Sequence, residues 1–514
     1  MALWLAIVLS SIAACFGGGG EKLTVLAGSE LKDLEPFFEQ IQRETGVQLE
    51  MKYTGTLDGA DQLTSGVDVD LAWFSHAKYL TLLETVNSRI RGQEKIMLSP
   101  VVLGVKESKA RAWGWIDNPE ITWEDIAAKA AAGELRFAMT NPAASNSGFT
   151  ALVGVASALS GTSDALQVED IKTEALQGFF KGQALTAGSS GWLADAYVRE
   201  QANLDGIVNY ESVLLALNKS HKLTEPLYLV YPRDGIITAD YPLMLINPDK
   251  REAYQKLVDY LRSTDMQRLI MERTLRRPIN PQVQLSSDFA NQILVELPFP
   301  NSVAVIDSLI YGYLDEQRIP SHTFYVLDVS GSMEGDRLDA LKTALHGLTG
   351  LDNSLTGQFS RFRSRERVTL IPFSDHVEDV RFFTVDDPAE GSASMDAIRQ
   401  YVSRLQAGGG TAIYTSLELA YSEAQVAYGS NPDRYYSVVL MSDGENNEGA
   451  SLGDFRRYYQ GLPAELQQIR TFTILFGNAN AGEMREIAEL TGGRVFDAQH
   501  EALSAIFKDI RGYQ

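Results

Sequence analysis

Thr323-Phe324-Tyr325-Val326-Leu327 running into Asp328-Val329-Ser330-Gly331-Ser332-Met333 is the stretch on which the fold of the second half of this chain turns. The first five residues are apolar or β-favouring and read as a buried strand; an amphipathic helix is expected to begin near Arg337. Asp328, Ser330 and Ser332 therefore fall on a strand-to-helix loop. One carboxylate and two hydroxyls are hard oxygen donors of the kind Mg²⁺ prefers, yet too few to complete an octahedral shell, which leaves room for a group from a partner. Asp, Ser and Gly also crowd ordinary turns, so the loop alone is ambiguous.

Downstream, strands are expected at Val368–Ile371, Val438–Met441 and Phe472–Phe476, with helices near 338–348, 395–405, 413–427, 483–491 and 502–511. That alternation predicts a mostly parallel sheet covered on both faces, with ligands at the carboxyl ends of its strands. Two further segments belong at those ends: Gly408-Gly409-Gly410-Thr411 before a helix, and Ser442-Asp443-Gly444 after a strand. Together the three segments resemble the von Willebrand factor A domain and its metal-ion-dependent adhesion site. The resemblance implies direct ligation by Ser330 and Ser332, ligation by Thr411 directly or through water, and an orienting role for Asp328 and Asp443. It implies Mg²⁺, with Mn²⁺ or Ca²⁺ as substitutes, and a protein partner that donates a Glu or Asp carboxylate. Glu445, Asn446 and Glu448 are read as a solvated loop, with a secondary cation site as the alternative.

At 514 residues the chain exceeds a single core, and about three globular units are expected. From Lys22 to Ala60 the order strand, helix, strand suggests a βαβ opening. Leu26-Ala27-Gly28-Ser29-Glu30-Leu31, Asp70-Leu71-Ala72-Trp73-Phe74-Ser75, a long apolar strand over Ser99–Val105 expected to cross between lobes, Thr140-Asn141-Pro142-Ala143-Ala144-Ser145-Asn146-Ser147-Gly148, Asn209-Tyr210-Glu211-Ser212 and Tyr231-Pro232-Arg233-Asp234-Gly235 follow in that order. In this order they are similar to a bacterial extracellular solute-binding protein of the two-lobed, oxyanion-binding type. A single helix is expected over Arg251–Glu272. Ser29, Ser75, Ser145, Ser147, Gly148 and Tyr210 are the candidate ligand residues. Hydroxyls and free amides at helix starts suit a small anion, whereas Glu211 would repel one unless turned away.

The expected fold class is thus α/β, a two-lobed periplasmic-binding-protein-like domain at 22–285, a connector at 286–320, and a doubly wound, Rossmann-like von Willebrand factor A domain at 321–514. Residues 1–15 read as a lipoprotein signal: an apolar segment ends in Ile12-Ala13-Ala14-Cys15, resembling a lipobox in which Cys15 is lipidated, and residues 16–21 would be a glycine tether. A positively charged start to that signal is missing. The chain is therefore expected at the membrane through a lipid anchor only, on the extracellular or periplasmic face.

A formal net charge of -22 argues against sequence-independent binding of nucleic acid. The single cysteine precludes an internal disulfide framework. The six histidines form no HExxH-type pair, and neither a Gly-x-Ser-x-Gly elbow nor a P-loop occurs, so catalysis is not expected. His76, beside Ser75, reads as structural. The expected function is cell-surface binding: Mg²⁺-dependent docking of a protein and capture of a small anionic solute. Two alternatives are the solute-binding component of an importer with an accessory second domain, and an assembly factor working with a nucleotide-driven partner.

Overall fold

The computed structural model describes residues 20–291 and 293–514. The expected signal, the lipidated Cys15 and most of the glycine tether lie outside these described residues. No helix among them is long and apolar enough to cross a membrane.

The first lobe is built on a five-stranded sheet in the order Val47–Thr54, Glu21–Gly28, Leu71–Trp73, Pro242–Leu245, Gly92–Lys95. Its first three strands are parallel, and Pro242–Leu245 runs antiparallel between Leu71–Trp73 and Gly92–Lys95. The second lobe centres on Met97–Lys106, which pairs with Gly206–Tyr210, Leu227–Val230, Thr238–Ala239 and Arg277–Pro278. Phe137–Thr140 and Gln183–Ala187 complete that sheet. The long strand expected at Ser99–Val105 is present over Met97–Lys106, and all its pairings lie within the second sheet, so it does not itself cross between the lobes. The chain changes sheets between Lys95 and Met97 and again between Ala239 and Pro242, so short segments hinge the lobes.

Two local expectations differ. The single helix over Arg251–Glu272 is two, Arg251–Leu261 and Thr264–Thr274, because Ser263 takes an extended conformation and its hydroxyl accepts the Met266 N–H as a new cap. Upstream, Ser29–Phe37 is a 3₁₀ segment that precedes the α-helix Phe38–Thr45, which ends on Gly46 in the left-handed region. Within the expected connector, Val303–Gly312 forms a helix whose Val305, Ile306, Leu309 and Ile310 pack into the first core.

The C-terminal sheet has six strands in the order Arg381–Thr384, Arg367–Phe373, Ser321–Asp328, Tyr435–Ser442, Arg470–Leu475, Val495–Asp497. All pairs are parallel except the edge pair Arg381–Thr384 with Arg367–Phe373. Every residue of Ser321–Asp328 is buried, as a strand with helices on both faces must be. Alternation sends its side chains to opposite cores. Tyr325 and Leu327 meet Leu341, Leu345, Ile506 and Phe507 on one side, while Phe324 and Val326 meet Leu417, Tyr421, Phe455 and Ile487 on the other.

This domain packs directly on the second lobe, and one apolar core runs from Leu185, Leu193 and Tyr197 through Tyr513 into the domain interior. The rings of Trp192 and Tyr513 lie 5.0 Å apart, edge to face. Two glycines permit this approach: a Cβ on Gly188 would lie 2.5 Å from the Tyr513 ring, and one on Gly512 would lie 2.8 Å from Ala144 Cβ and 3.1 Å from Gly188 Cα. Gly512→Val is accordingly expected to overpack the junction and cost about 1–3 kcal/mol. The readout is a lower thermal midpoint together with faster proteolysis at the connector; an unchanged midpoint would show that the junction gives way freely.

Candidate functional site

Three loops meet at the carboxyl end of the C-terminal sheet. The backbone zips two of them together: Gly331 N–H donates to Gly409 O (3.1 Å) and Gly408 N–H to Val329 O (2.9 Å). Within this frame Ser330 Oγ and Ser332 Oγ are 3.0 Å apart, and Ser332 Oγ donates to Asp443 Oδ1 at 2.7 Å. A Cβ built on Gly444 would stand 3.6 Å from Ser332 Oγ and 3.8 Å from Thr411 Oγ1, so these hydroxyls share one small space. All five expected metal-site residues converge.

Their roles separate by geometry. Asp328, fully buried, accepts the Ser330 N–H at Oδ1 (2.8 Å) and the Ser442 hydroxyl at Oδ2 (2.5 Å). Both its oxygens are engaged in holding the loop, and burial raises its pKa. The donor set fits a hard divalent cation: hydroxyls and carboxylates at hydrogen-bonding separation, with no soft ligand. Ser330, Ser332 and Thr411 would hold the ion, and the carboxylates behind them would orient its shell.

Two features of this site were missed in the sequence. Arg337, in the first turn of the helix Asp336–His346, forms an ion pair with Asp443 Oδ2 and also donates to Ser332 O at 3.4 Å. The loop after Asp443 braces Thr411 from behind: Asn447 Oδ1 accepts the Thr411 N–H (2.7 Å) and Asn446 Oδ1 the Ile413 N–H (2.8 Å). Asn446 is thereby committed to capping the helix Ile413–Ser430. The cluster of potential metal-binding side chains found among the described residues is elsewhere, at exposed Asp375, His376 and Glu378.

The second candidate site is the cleft between the lobes. Ser75 ends the segment after Leu71–Trp73 and is fully buried, as is Tyr210 at the end of Gly206–Tyr210. Ser145 and Ser147 sit at the start of the helix Asn146–Ser160, where Ser147 Oγ lies 2.9 Å from Thr140 Oγ1 and 3.0 Å from Ser190 Oγ. Gly148 is there for space: a Cβ would lie 2.3 Å from Thr140 O. Ser29 is exposed. Glu211 is turned away from the cleft, accepting two bonds of 2.7 Å from Arg277 and one of 2.5 Å from Tyr231. His76 is buried against Phe149 and Phe299 with Nε2 3.1 Å from Thr150 Oγ1; burial lowers its pKa to about 4, so it is a neutral core residue.

Arg276 and Tyr241 also face this cleft and were not expected. Both are buried, and the guanidinium lies 4.9 Å from the Tyr241 ring centre. Both follow from unusual backbone, with Tyr241 at φ 41° and Leu275, just before Arg276, at φ 54°. Non-glycine residues held in this region collect at functional sites. Thr56 Oγ1, Ser75 Oγ, Tyr210 OH, Tyr241 OH and Arg276 Nε are all buried without a hydrogen-bond partner, a concentration that an inert interface would not retain.

Comparison with known proteins assigns both halves. The family described as bacterial extracellular solute-binding protein matches residues 23–273, and the von Willebrand factor type A domain matches residues 324–509. Among curated proteins, an uncharacterized protein of Synechocystis sp. is 33% identical over 134 residues, 26% of this chain and 27% of that protein. The inter-alpha-trypsin inhibitor heavy chain H2 of Mesocricetus auratus is 28% identical over 138 residues, 26% of this chain and 13% of that protein. The matches thus span about a quarter or less of these relatives. Among solved structures, the periplasmic binding protein AfuA of Actinobacillus pleuropneumoniae covers 58% of this chain and 98% of its own at 14% identity and a TM-score of 0.44. The sulfate-binding protein SubI of Mycobacterium tuberculosis covers 56% and 96% at 18% identity and a TM-score of 0.40. The chain therefore joins an extracellular solute-binding domain, residues 23–273, to a C-terminal von Willebrand factor type A domain, residues 324–509.

Proposed function

We propose that this chain is an extracytoplasmic docking protein, anchored through Cys15, whose C-terminal domain binds a partner's carboxylate through Mg²⁺ held by Ser330, Ser332 and Thr411. The observation that carries this reading is the convergence of those hydroxyls with Asp443 at the carboxyl end of the sheet. Few charged groups touch the ion directly in such a set, so the ion keeps positive charge for an incoming carboxylate. The N-terminal domain captures a small anion between its lobes. Its buried, partnerless hydroxyls and Arg276 support that part.

Isothermal titration with Mg²⁺ tests the docking role, followed by retention of surface proteins on the immobilised chain with Mg²⁺ and with chelator. One Mg²⁺ site and retention lost in chelator are expected; retention indifferent to both Asp328→Ala and chelator would sink the metal mechanism. The importer reading rests on the same cleft and requires tight, reversible capture of a free solute by the wild-type protein.

A further inference from the structure

We propose that the interlobe cleft is a seat for a small carboxylate and that Glu30 of the same chain occupies it in the resting protein. This deepens the solute-capture part of the proposed function and rests on it.

Glu30 lies two residues past the end of the first-lobe strand Glu21–Gly28, and its carboxylate reaches across to the second lobe. Oε1 accepts from Asn146 Nδ2 at 2.9 Å, at the first residue of the helix Asn146–Ser160. Asn146 Oδ1 in turn accepts the Thr56 N–H of the first lobe at 2.6 Å. The carboxylate is thus one strut of a bridge that closes the lobes. It also sits at a helix N-terminus, where the first in-helix bond is Phe149 N–H to Ser145 O and the preceding amides favour an anion.

Three further observations mark this as a ligand's position. Arg276 holds the residue by donating Nη2 to Glu30 O at 2.9 Å, while its Nη1 pairs with Asp33 at 2.5 Å. Near the carboxylate lie the buried Tyr210 and Tyr241, whose hydroxyls have no hydrogen-bond partner. The Glu30 charge is close enough to both tyrosines to add to the effect of burial in raising their pKa. Finally, Gly28 makes the conformation possible: a Cβ there would lie 2.5 Å from the Glu30 carboxylate, which folds back over its own strand end. Any side chain at position 28 would evict it.

An oxyanion entering the wild-type cleft meets this carboxylate, with Asp33 already paired to Arg276. Capture then proceeds by exchange: the incoming anion takes the Asn146 amide and the helix start, and Glu30 swings out through the partly exposed mouth of the cleft. Bonds to the protein are traded one for one, so the solute binds only as well as it outcompetes an intramolecular ligand.

The group removed beyond Cβ in Glu30→Ala is the CH₂–COO⁻ of acetate. Titration calorimetry and thermal unfolding with acetate, sulfate and phosphate are the test, on the full chain in wild-type, Glu30→Ala and Glu30→Gln forms. Glu30→Ala is expected to bind acetate and to gain about 2–4 °C in Tm when acetate is saturating. Wild type and Glu30→Gln, whose amide fills the same space, are expected not to respond to acetate. Sulfate or phosphate binding the wild type as tightly as Glu30→Ala overturns the occupancy and leaves solute capture standing. Silence of all three proteins towards all three anions overturns both. If Glu30→Ala is too unstable to titrate, Glu30→Ser empties the same position and is judged by the same outcomes.

Discussion

Replacing Arg337 with Ala is expected to tighten Mg²⁺ binding roughly tenfold, about 1.4 kcal/mol, while Asp443→Ala weakens it roughly 10–100-fold. The two residues form one ion pair, yet their removal should act in opposite directions. Asp443 is buried and its Oδ1 holds Ser332 in place, so losing it disorganises a hydroxyl ligand and removes the negative charge behind the ion. Arg337 is different. Its guanidinium is a positive group bonded to Asp443 Oδ2 and to Ser332 O, in the space the cation's shell needs, and a divalent ion can approach only as that pair opens. The Arg337 side chain retains 35% of its exposure, enough for it to swing into solvent. Gly477, at φ 53°, lies directly beneath it, and a Cβ there would stand 3.0 Å from the guanidinium carbon and from Asp443 Cβ. Titration calorimetry of Mg²⁺ into both variants decides the matter. Weaker binding by Arg337→Ala would make the arginine a support of the site and not a competitor.

The strand Ser321–Asp328 and the loops at 328–333, 408–411 and 442–444 were legible because their signals are local. The apolar run Phe324–Leu327 with oxygen-bearing residues just past it reads as a buried strand leading into a ligand-edge loop, and the glycines at 408–410 announce a close approach that the Gly331–Gly409 bond realises. Arg337 was illegible because an arginine near a helix start is unremarkable by pattern; only the fold brings it to a residue 106 positions away. Asn446 read as part of a solvated loop, and Asn447 drew no reading, for the same reason, since capping a helix more than thirty residues upstream leaves no local trace.

The cleft shows the limit more sharply. The serines and Gly148 were found by their places at strand ends and helix starts, but those cues describe ordinary caps equally well. The residues that distinguish the cleft are Glu30, Tyr241 and Arg276. Their signals are a left-handed backbone at two non-glycine positions and contacts spanning more than a hundred residues, such as Asn146 with Glu30, 116 positions apart. A short, weakly periodic segment such as Arg381–Thr384 escaped for a different reason: it is an edge strand, largely exposed, and carries no apolar alternation.

Glu366→Ala is expected to destabilise the C-terminal domain by about 3–5 kcal/mol, because it leaves two buried guanidinium groups without a counter-charge. Glu366 is 1% exposed and lies between Arg318, at the end of the connector, and Arg511, in the last helix. Arg511 Nη2 donates to both carboxylate oxygens at 2.7 Å, Arg318 pairs with Oε1, and the Arg363 N–H donates to Oε2 at 3.0 Å. The remaining donors of the two arginines reach backbone carbonyls and the Gln514 side chain, so little slack exists for rearrangement. Exposed pairs such as Arg233 with Glu120, at 60% and 64% exposure, have solvent to fall back on and should contribute little. Burial by itself would raise the Glu366 pKa, but Arg511 and Arg318 outweigh it and hold the group at about 2, against 4.5 for a free glutamate. A carboxylate whose folded pKa is depressed stabilises fully above the unfolded value, and that contribution disappears as pH falls from about 4.5 towards 2. The buried imidazoles of His76 and His322, lowered by burial to about 4 and about 3, act over a higher range: the unfolded chain takes up their protons below about 6.5 while the folded chain does not. Stability to urea should therefore be level above about pH 6.5 and fall below it, with the two imidazoles driving the decline towards about pH 4 and Glu366 adding one further proton below about 4.5. In Glu366→Gln the whole curve is lower and its part below about pH 4.5 is shallower by the one proton that Glu366 no longer takes up; an undiminished slope there would place that part of the acid response in other groups.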